Sequence, residues 1–118
     1  MKLLAIDDDS LVLLSLSSAL VALGHECSSH DNWPEARIEL EAGGFDAVLT
    51  DLHMSGTDGF EVLRRIRDMN NGPHKVIAIT GDPDVSLKRG ITDAGFDGYL
   101  PKPYTLKELT ALLASISS

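Results

Sequence analysis

Short apolar runs alternate with stretches of helical spacing five times along this chain, and that alternation limits the fold more than any other feature. Leu3–Ile6 is a compact apolar run that stops at acids, and residues 10–23 then take helical spacing, with Gly24 just past the expected helix end. Glu26–Ser28 reads as a weaker second strand. Asn32, with Glu35 three residues on and Pro34 in the first turn, starts a second helix that Gly43–Gly44 ends. Phe45–Thr50 is the third strand. Asp58 with Glu61 caps a third helix, in which Phe60, Leu63 and Ile66 share one face and Arg64, Arg65 and Arg67 face water. Asn71–Gly72–Pro73 breaks it, and Lys75–Thr80 is the fourth strand. Asp82–Pro83 opens a fourth helix that Gly95 closes, and Asp97–Leu100 is the fifth strand. Thr105 and Glu108 form a capping box before Leu106, Leu109, Leu113 and Ile116 repeat at helical spacing.

Strands 1, 3 and 4 are continuous apolar runs, as strands covered on both faces are. The expected architecture is therefore α/β: a single doubly wound five-stranded parallel sheet with five helices. At 118 residues the chain reads as one domain, 1–118, large enough to bury a core without staples. Cys27 is its one cysteine, so neither a disulfide framework nor a cysteine-based zinc site fits. The net charge of -8 argues against direct binding of nucleic acid and suits a cation or a basic partner surface. The apolar run before Asp7, Leu3–Ile6, is only four residues long, too short for a signal-peptide core or a membrane span. The expectation is a soluble, cytoplasmic domain with no membrane contact.

In open parallel sheets, sites form outside the carboxyl ends of the strands. Asp7, Asp8 and Asp9 follow strand 1, Asp51 follows strand 3, Thr80 ends strand 4 and Lys102 lies just beyond strand 5. Each has an ordinary explanation when taken singly: a helix cap for Asp8 or Asp9, a turn for Asp51, a strand end for Thr80, a surface lysine. If strands 1, 3, 4 and 5 are neighbours, however, all of them converge on one spot. Two carboxylates about 5 Å apart repel by roughly 3 kcal/mol at an effective dielectric of about 20. One lysine does not balance three or four acids, and a hard divalent cation with oxygen ligands, Mg²⁺ above all, is the natural complement. A carboxylate beside such a cation, an ammonium and a hydroxyl is equipped to receive a phosphoryl group.

These residues resemble those of the response-regulator receiver domains of bacterial two-component signalling, and the resemblance spans essentially the whole chain. It is carried by Asp7–Asp8 after the first strand, Asp51 at the head of D-L-H-M-S-G-T-D-G, Thr80 followed by the small Gly81, Tyr99, and Lys102–Pro103. The resemblance implies the flavodoxin-like strand order 2-1-3-4-5, and it implies that Asp7, Asp8 and Asp51, with the backbone carbonyl of His53, hold Mg²⁺ or Mn²⁺. It implies that Asp51 accepts a phosphoryl group from a histidine kinase or phosphotransfer protein, as in a phosphorelay, and that Thr80 and Lys102 contact that group. Thr80 and Tyr99 would form the switch, and His53 and Asp82 would border the path of the attacking water and tune dephosphorylation. The face made by the fourth helix, fifth strand and fifth helix, with Lys88, Arg89 and Lys107, would meet an output partner or a second copy. The domain would be no enzyme beyond its own phosphotransfer and slow autodephosphorylation. Asp9 and Ser10 are left to cap the first helix.

The chain departs from the family pattern at Ser55, where a proline is usual, and Pro101 stiffens the approach to Lys102. Lys102–Pro103 is a candidate cis bond. His25, His30, His53 and His74 are too scattered for a histidine metal site, and Trp33 reads as a packing residue. Asp7-x-Asp9 also resembles the opening motif of haloacid-dehalogenase-type phosphatases, with Thr80 and Lys102 in that family's order. That reading leaves Asp51 unexplained and lacks a later acidic motif, since Glu108 is the only acid after Lys102. A nucleotide-binding module finds no glycine-rich motif. Nothing after the fifth helix reads as a DNA-binding or catalytic domain. Ser115–Ser118 suits either a single-domain regulator or a receiver from a longer regulator or hybrid kinase.

Overall fold

The computed structural model describes residues 1–54, 56–70, 72–73, 75–82 and 84–117, with Val85 described by its backbone alone. The readings placed on Ser55, Asn71, His74, Pro83 and Ser118 lie outside the described residues. The elements run β1 (Lys2–Ile6), α1 (Ser10–Ala22), β2 (Glu26–His30), α2 (Trp33–Glu41), β3 (Ala47–Asp51), α3 (Gly59–Arg67), β4 (Lys75–Thr80), α4 (Val85–Ala94), β5 (Gly98–Pro101) and α5 (Leu106–Ile116). All strand pairs are parallel, in the order β2-β1-β3-β4-β5. The expected α/β architecture and strand order are what the chain adopts.

Alternate strand residues point to opposite faces of the sheet, which divides the core. Leu3, Ala5, Ala47, Leu49, Ile77 and Ile79 meet Leu13, Leu16 and Leu20 of α1 and Leu109, Leu113 and Ile116 of α5. On the other face Leu4, Ile6, Val48 and Val76 meet Trp33, Ala36 and Leu40 of α2 and Val62, Leu63 and Ile66 of α3. Trp33 is thus the packing residue expected. A smaller cluster of Leu52, Ala78 and Ile91 seats α4, and Phe60, Phe96 and Tyr99 lie against it. Phe60 is therefore only half-buried, edge-on to Phe96, and Val62 takes the buried position beside Leu63. Leu106 sits in the first turn of α5 and stays exposed.

The helix starts follow local chemistry. The Asp9 side chain accepts from the N–H groups of Leu11 and Val12, Asn32 from Glu35, and Asp58 from Glu61. Thr105 and Glu108 form the expected capping box. The fourth helix corrects the sequence reading: Asp84, not Asp82, is its cap and accepts from Ser86 N–H. Asp82 instead accepts from the N–H of Asp84 and so belongs to the loop before the helix. Gly95 ends α4 at φ 99°, a left-handed conformation that favours glycine. Strand edges shift as well. β2 runs on to His30, β3 starts at Ala47 and includes Asp51, and β5 is Gly98–Pro101. Asp97 falls outside β5 because its carboxylate takes the Val76 N–H and the Arg67 guanidinium.

Candidate functional site

The ends of β1, β3, β4 and β5 lie side by side at the carboxyl edge of the sheet, through the register Ile6↔Thr50, Asp51↔Ile79 and Thr80↔Pro101. Asp7 follows β1 directly, and Asp51 is the last residue of β3. Both are buried, Asp7 at 2% exposure and Asp51 at 8%, whereas Asp8 is exposed. Asp7, Asp8 and Asp51 each bring a carboxylate oxygen to within 4.8 Å of the others. Lys102 Nζ lies 2.8 Å from Asp7 Oδ2 and 3.6 Å from Asp51 Oδ1. Its backbone N–H donates to the Thr80 carbonyl at 2.7 Å, so the lysine is anchored where β4 and β5 end. Lys102–Pro103 is cis, as the sequence suggested.

The loop after Asp51 is pinned from two sides. Leu52 N–H donates to the Ile79 carbonyl, and Gly59 N–H donates back to the Leu52 carbonyl. The start of α3 presses against the end of β3: a Cβ at Gly59 would stand 2.7 Å from the Asp51 carbonyl oxygen and 2.8 Å from Leu52 Cδ2. Only glycine fits that approach.

Thr80 is buried, and its Oγ1 accepts from the N–H of Asp82 at 3.1 Å. His53 and Asp82, one on each flanking loop, bring Nε2 and Oδ2 to 3.6 Å. Tyr99 is half-buried against the α4 cluster, with Lys88 Nζ 6.0 Å from its ring centre. Lys88, Arg89 and Lys107 are exposed.

Burial pushes the Asp51 carboxyl above its ordinary range, and the Asp7 charge pushes the same way. The Lys102 charge and the His53 N–H, hydrogen-bonded to the Asp51 carboxylate, oppose that shift without cancelling it. Burial alone would lower Lys102, but its bond to Asp7 and the charges of Asp51 and Asp7 outweigh it and hold the ammonium above its usual value. Each pair of carboxylates at the 4.8 Å limit repels by about 3 kcal/mol at an effective dielectric near 20. One ammonium leaves this cluster negative. An oxygen-only donor set of mixed burial fits a hard divalent cation that keeps part of its water, which describes Mg²⁺ better than a softer metal.

The sequence reading gave no role at this edge to two residues that stand there. His30 ends β2, and its carbonyl accepts the N–H of Asp7 at 3.3 Å; the β1–β2 register is the signal that reveals it. Tyr104 is half-buried beside Lys102 and shares an apolar groove with Leu11, Val12, Ser15 and Pro103. Burial raises its phenol above the ordinary value.

The response regulator receiver domain model matches residues 3–114. The transcriptional regulatory protein BasR of Escherichia coli is 34% identical over 116 residues, which are 98% of this chain and 52% of that protein. The response regulator MprA of Mycobacterium leprae is also 34% identical over 116 residues, 98% of this chain and 50% of its own. The chain thus spans about half the length of the curated relatives it matches. Among solved structures, it is similar to the receiver domain of the sensor histidine kinase PA1611 of Pseudomonas aeruginosa, with TM-score 0.86 and 27% identity over 99% of this chain and 98% of that one. That structure has a magnesium ion coordinated in its active-site cleft. The response regulator TrrA of Thermotoga maritima, in complex with Mg²⁺ and BeF, superposes with TM-score 0.84 and 25% identity over 98% of this chain and 97% of that one. Since the family match begins within β1 and ends within α5, with the acids, the threonine and the lysine all inside it, this chain belongs to the response regulator receiver domains of two-component systems.

Proposed function

We propose that residues 1–118 form one phosphoacceptor domain in which Asp51 takes a phosphoryl group from a phosphohistidine on a histidine kinase or phosphotransfer protein. The observation that carries this reading is the setting of Asp51: a buried strand-end carboxylate that shares one space with two other acids and has an ammonium 3.6 Å away. A carboxylate oxygen of Asp51 forms the new bond to phosphorus while the bond from phosphorus to the imidazole nitrogen breaks. Asp7, Asp8 and Asp51, with the His53 carbonyl, would hold Mg²⁺ or Mn²⁺. A bound divalent cation supplies positive charge at the phosphoryl oxygens. Lys102 supplies the second cation from its anchored place beside β4. The domain performs this transfer and its own slow hydrolysis and no turnover beyond them.

Incubation with a small acyl or amidophosphate donor and Mg²⁺ is expected to label Asp51 alone. Mass mapping of the acid-stable, hydroxylamine-labile product locates the label, and a label elsewhere overturns the reading. Decay of that label is expected to change in His53→Ala and Asp82→Ala more than its formation does, because these two side chains, 3.6 Å apart, stand at the positions that the family resemblance places beside the path of the attacking water. Repeated turnover of a generic phosphomonoester would instead favour the phosphatase reading.

The phosphorylated state adds charge and acceptor oxygens near Thr80. Its hydroxyl would leave the Asp82 N–H to donate to the phosphoryl group, which frees space behind β4. Tyr99, half-buried on the neighbouring strand, would complete its burial and reshape the α4–β5–α5 face for an output partner or a second copy. Burying the remainder of the ring favours the active state by about 1–2 kcal/mol, a several-fold shift in population. A beryllofluoride mimic is expected to move the Tyr99 ring resonances in the wild type and to leave them largely in place in Thr80→Ala. Unmoved resonances in the wild type would place the output on another surface.

A further inference from the structure

Next to the acids, the edge strand β2 ends in a polar cluster that the reading above does not use. Nε2 of His30, the last residue of β2, lies 2.6 Å from Glu39 Oε1 of α2. The Ser28 hydroxyl donates to the second oxygen, Glu39 Oε2, at 2.7 Å. Glu35 Oε2 stands at 4.0 Å from His30 Nδ1. The hydrogen bonds from His30 and Ser28 hold the Glu39 carboxyl below its ordinary range.

β2 needs such a tether. Its sequence, Glu-Cys-Ser-Ser-His, buries no residue fully, and as an edge strand it pairs, among the described residues, with β1 alone. Apolar burial therefore does little to hold its far end. What that end carries matters, because the His30 carbonyl accepts the Asp7 N–H. Asp7 has little other freedom: its Oδ1 accepts from Asp9 N–H and its Oδ2 from Lys102. The path from α2 to the acid cluster thus runs through Glu39, the His30 side chain, the His30 carbonyl and the Asp7 backbone.

We infer that Glu39 and His30 form a positioning clamp for Asp7, which sets the place of its carboxylate in the cation site through the terminal carbonyl of β2. The clamp touches neither the cation nor the phosphoryl group, and the inference rests on reading Asp7 as a metal-holding acid. Outer-layer partners of metal ligands commonly change affinity by about 10–100-fold, and one acting through a backbone bond is expected to change it by about threefold or more.

The test measures Mg²⁺ affinity by calorimetry and Asp7 amide exchange by NMR on the full chain, well below the melting temperature. Glu39→Ala and His30→Ala are expected to weaken Mg²⁺ binding about threefold or more and to speed Asp7 exchange. Glu39→Gln keeps an acceptor for His30 and is expected to restore most of both. Ala36→Gly loosens the buried face of α2 without touching the clamp. It is expected to lower the melting temperature and leave both readouts near wild type. Equal losses in Ala36→Gly would reduce the clamp to ordinary stability and overturn the inference. Asp8→Asn separates the two claims. If it weakens Mg²⁺ binding while Glu39→Ala does not, the clamp is wrong and the metal reading stands. If Asp8→Asn leaves Mg²⁺ binding unchanged, the metal reading falls, and unchanged Asp7 exchange in Glu39→Ala would then overturn the clamp as well.

Discussion

Asp51→Asn is expected to abolish phosphoryl acceptance and, in metal-free buffer at neutral pH, to make the domain more stable. Both effects have one origin. The Asp51 carboxylate is desolvated and faces the Asp7 charge, so its pKa in the folded state lies above its value in the unfolded chain. The folded state then binds more protons than the unfolded one between those two values. The favourable contribution is fully present below the unfolded value, near 3.9 for a free aspartate, and is lost as pH rises through the folded value. At pH 7 the ionised group is therefore a net cost. The neutral amide removes it, and replacing buried charge commonly stabilises by about 1–2 kcal/mol. For a domain of this size that is a rise in melting temperature of roughly 4–8 °C. The advantage is expected to shrink as pH falls toward 4 and to reverse in excess Mg²⁺, where the wild type gains binding free energy that the variant loses. Thermal melts across pH, with and without Mg²⁺, check each part. A variant that is less stable than wild type at neutral pH without metal would show that Asp51 is better compensated than its neighbours indicate.

Lys102→Met is expected to move stability the other way. The ammonium touches Asp7 at 2.8 Å and Asp51 at 3.6 Å, and both of those carboxylates are buried. Removing it leaves two like charges without that counter-charge, at a cost of about 1–3 kcal/mol once the lysine's own partial exposure is discounted. Mg²⁺ is expected to recover much of this, because the same carboxylates are the ones proposed to hold it. Phosphorylation from a small donor is expected to slow by about 10²-fold, the usual size of losing one fixed positive group at a charge-developing oxygen. In the Asp51→Asn background the stability penalty of Lys102→Met is expected to be smaller, since one of the two carboxylates is already neutral. A double-mutant cycle of melts measures that coupling, and strict additivity would mean that Lys102 and Asp51 do not interact.

Much of this domain was legible along the chain because its signals are local. A helix cap is a side chain bonded to an N–H two or three residues on, so Asn32, Asp58 and Thr105 could be read directly. The cap of α1 stayed open between Asp8 and Asp9 until the resemblance left Asp9 and Ser10, and the structure gives it to Asp9. The apolar runs of β1, β3 and β4 announced strands covered on both faces, and their alternation with helices announced a parallel sheet. The acids, Thr80 and Lys102 could be nominated because strand ends are where such sheets place their chemistry. Errors arose where two local signals competed: Asp82 and Asp84 both precede α4, and only the folded loop decides that Asp84 caps it. The strand edges near Phe45 and Asp97 moved for a different reason. Asp46 N–H is taken by the Lys2 carbonyl, and Asp97 bonds Val76 and Arg67, partners that no window around either residue contains. The same holds for the parts of the site that matter most. Lys102 meets Asp7 across 95 positions, His30 reaches Asp7 only through the β1–β2 pairing, and His53 meets Asp82 only because β3 and β4 are neighbours. Residue types and periodicity determine which elements form and which groups stand at their ends. The distances between those groups, and the burial that shifts Asp51 upward, arise only when the sheet assembles, because electrostatic coupling and desolvation depend on separation in space and not on separation along the chain.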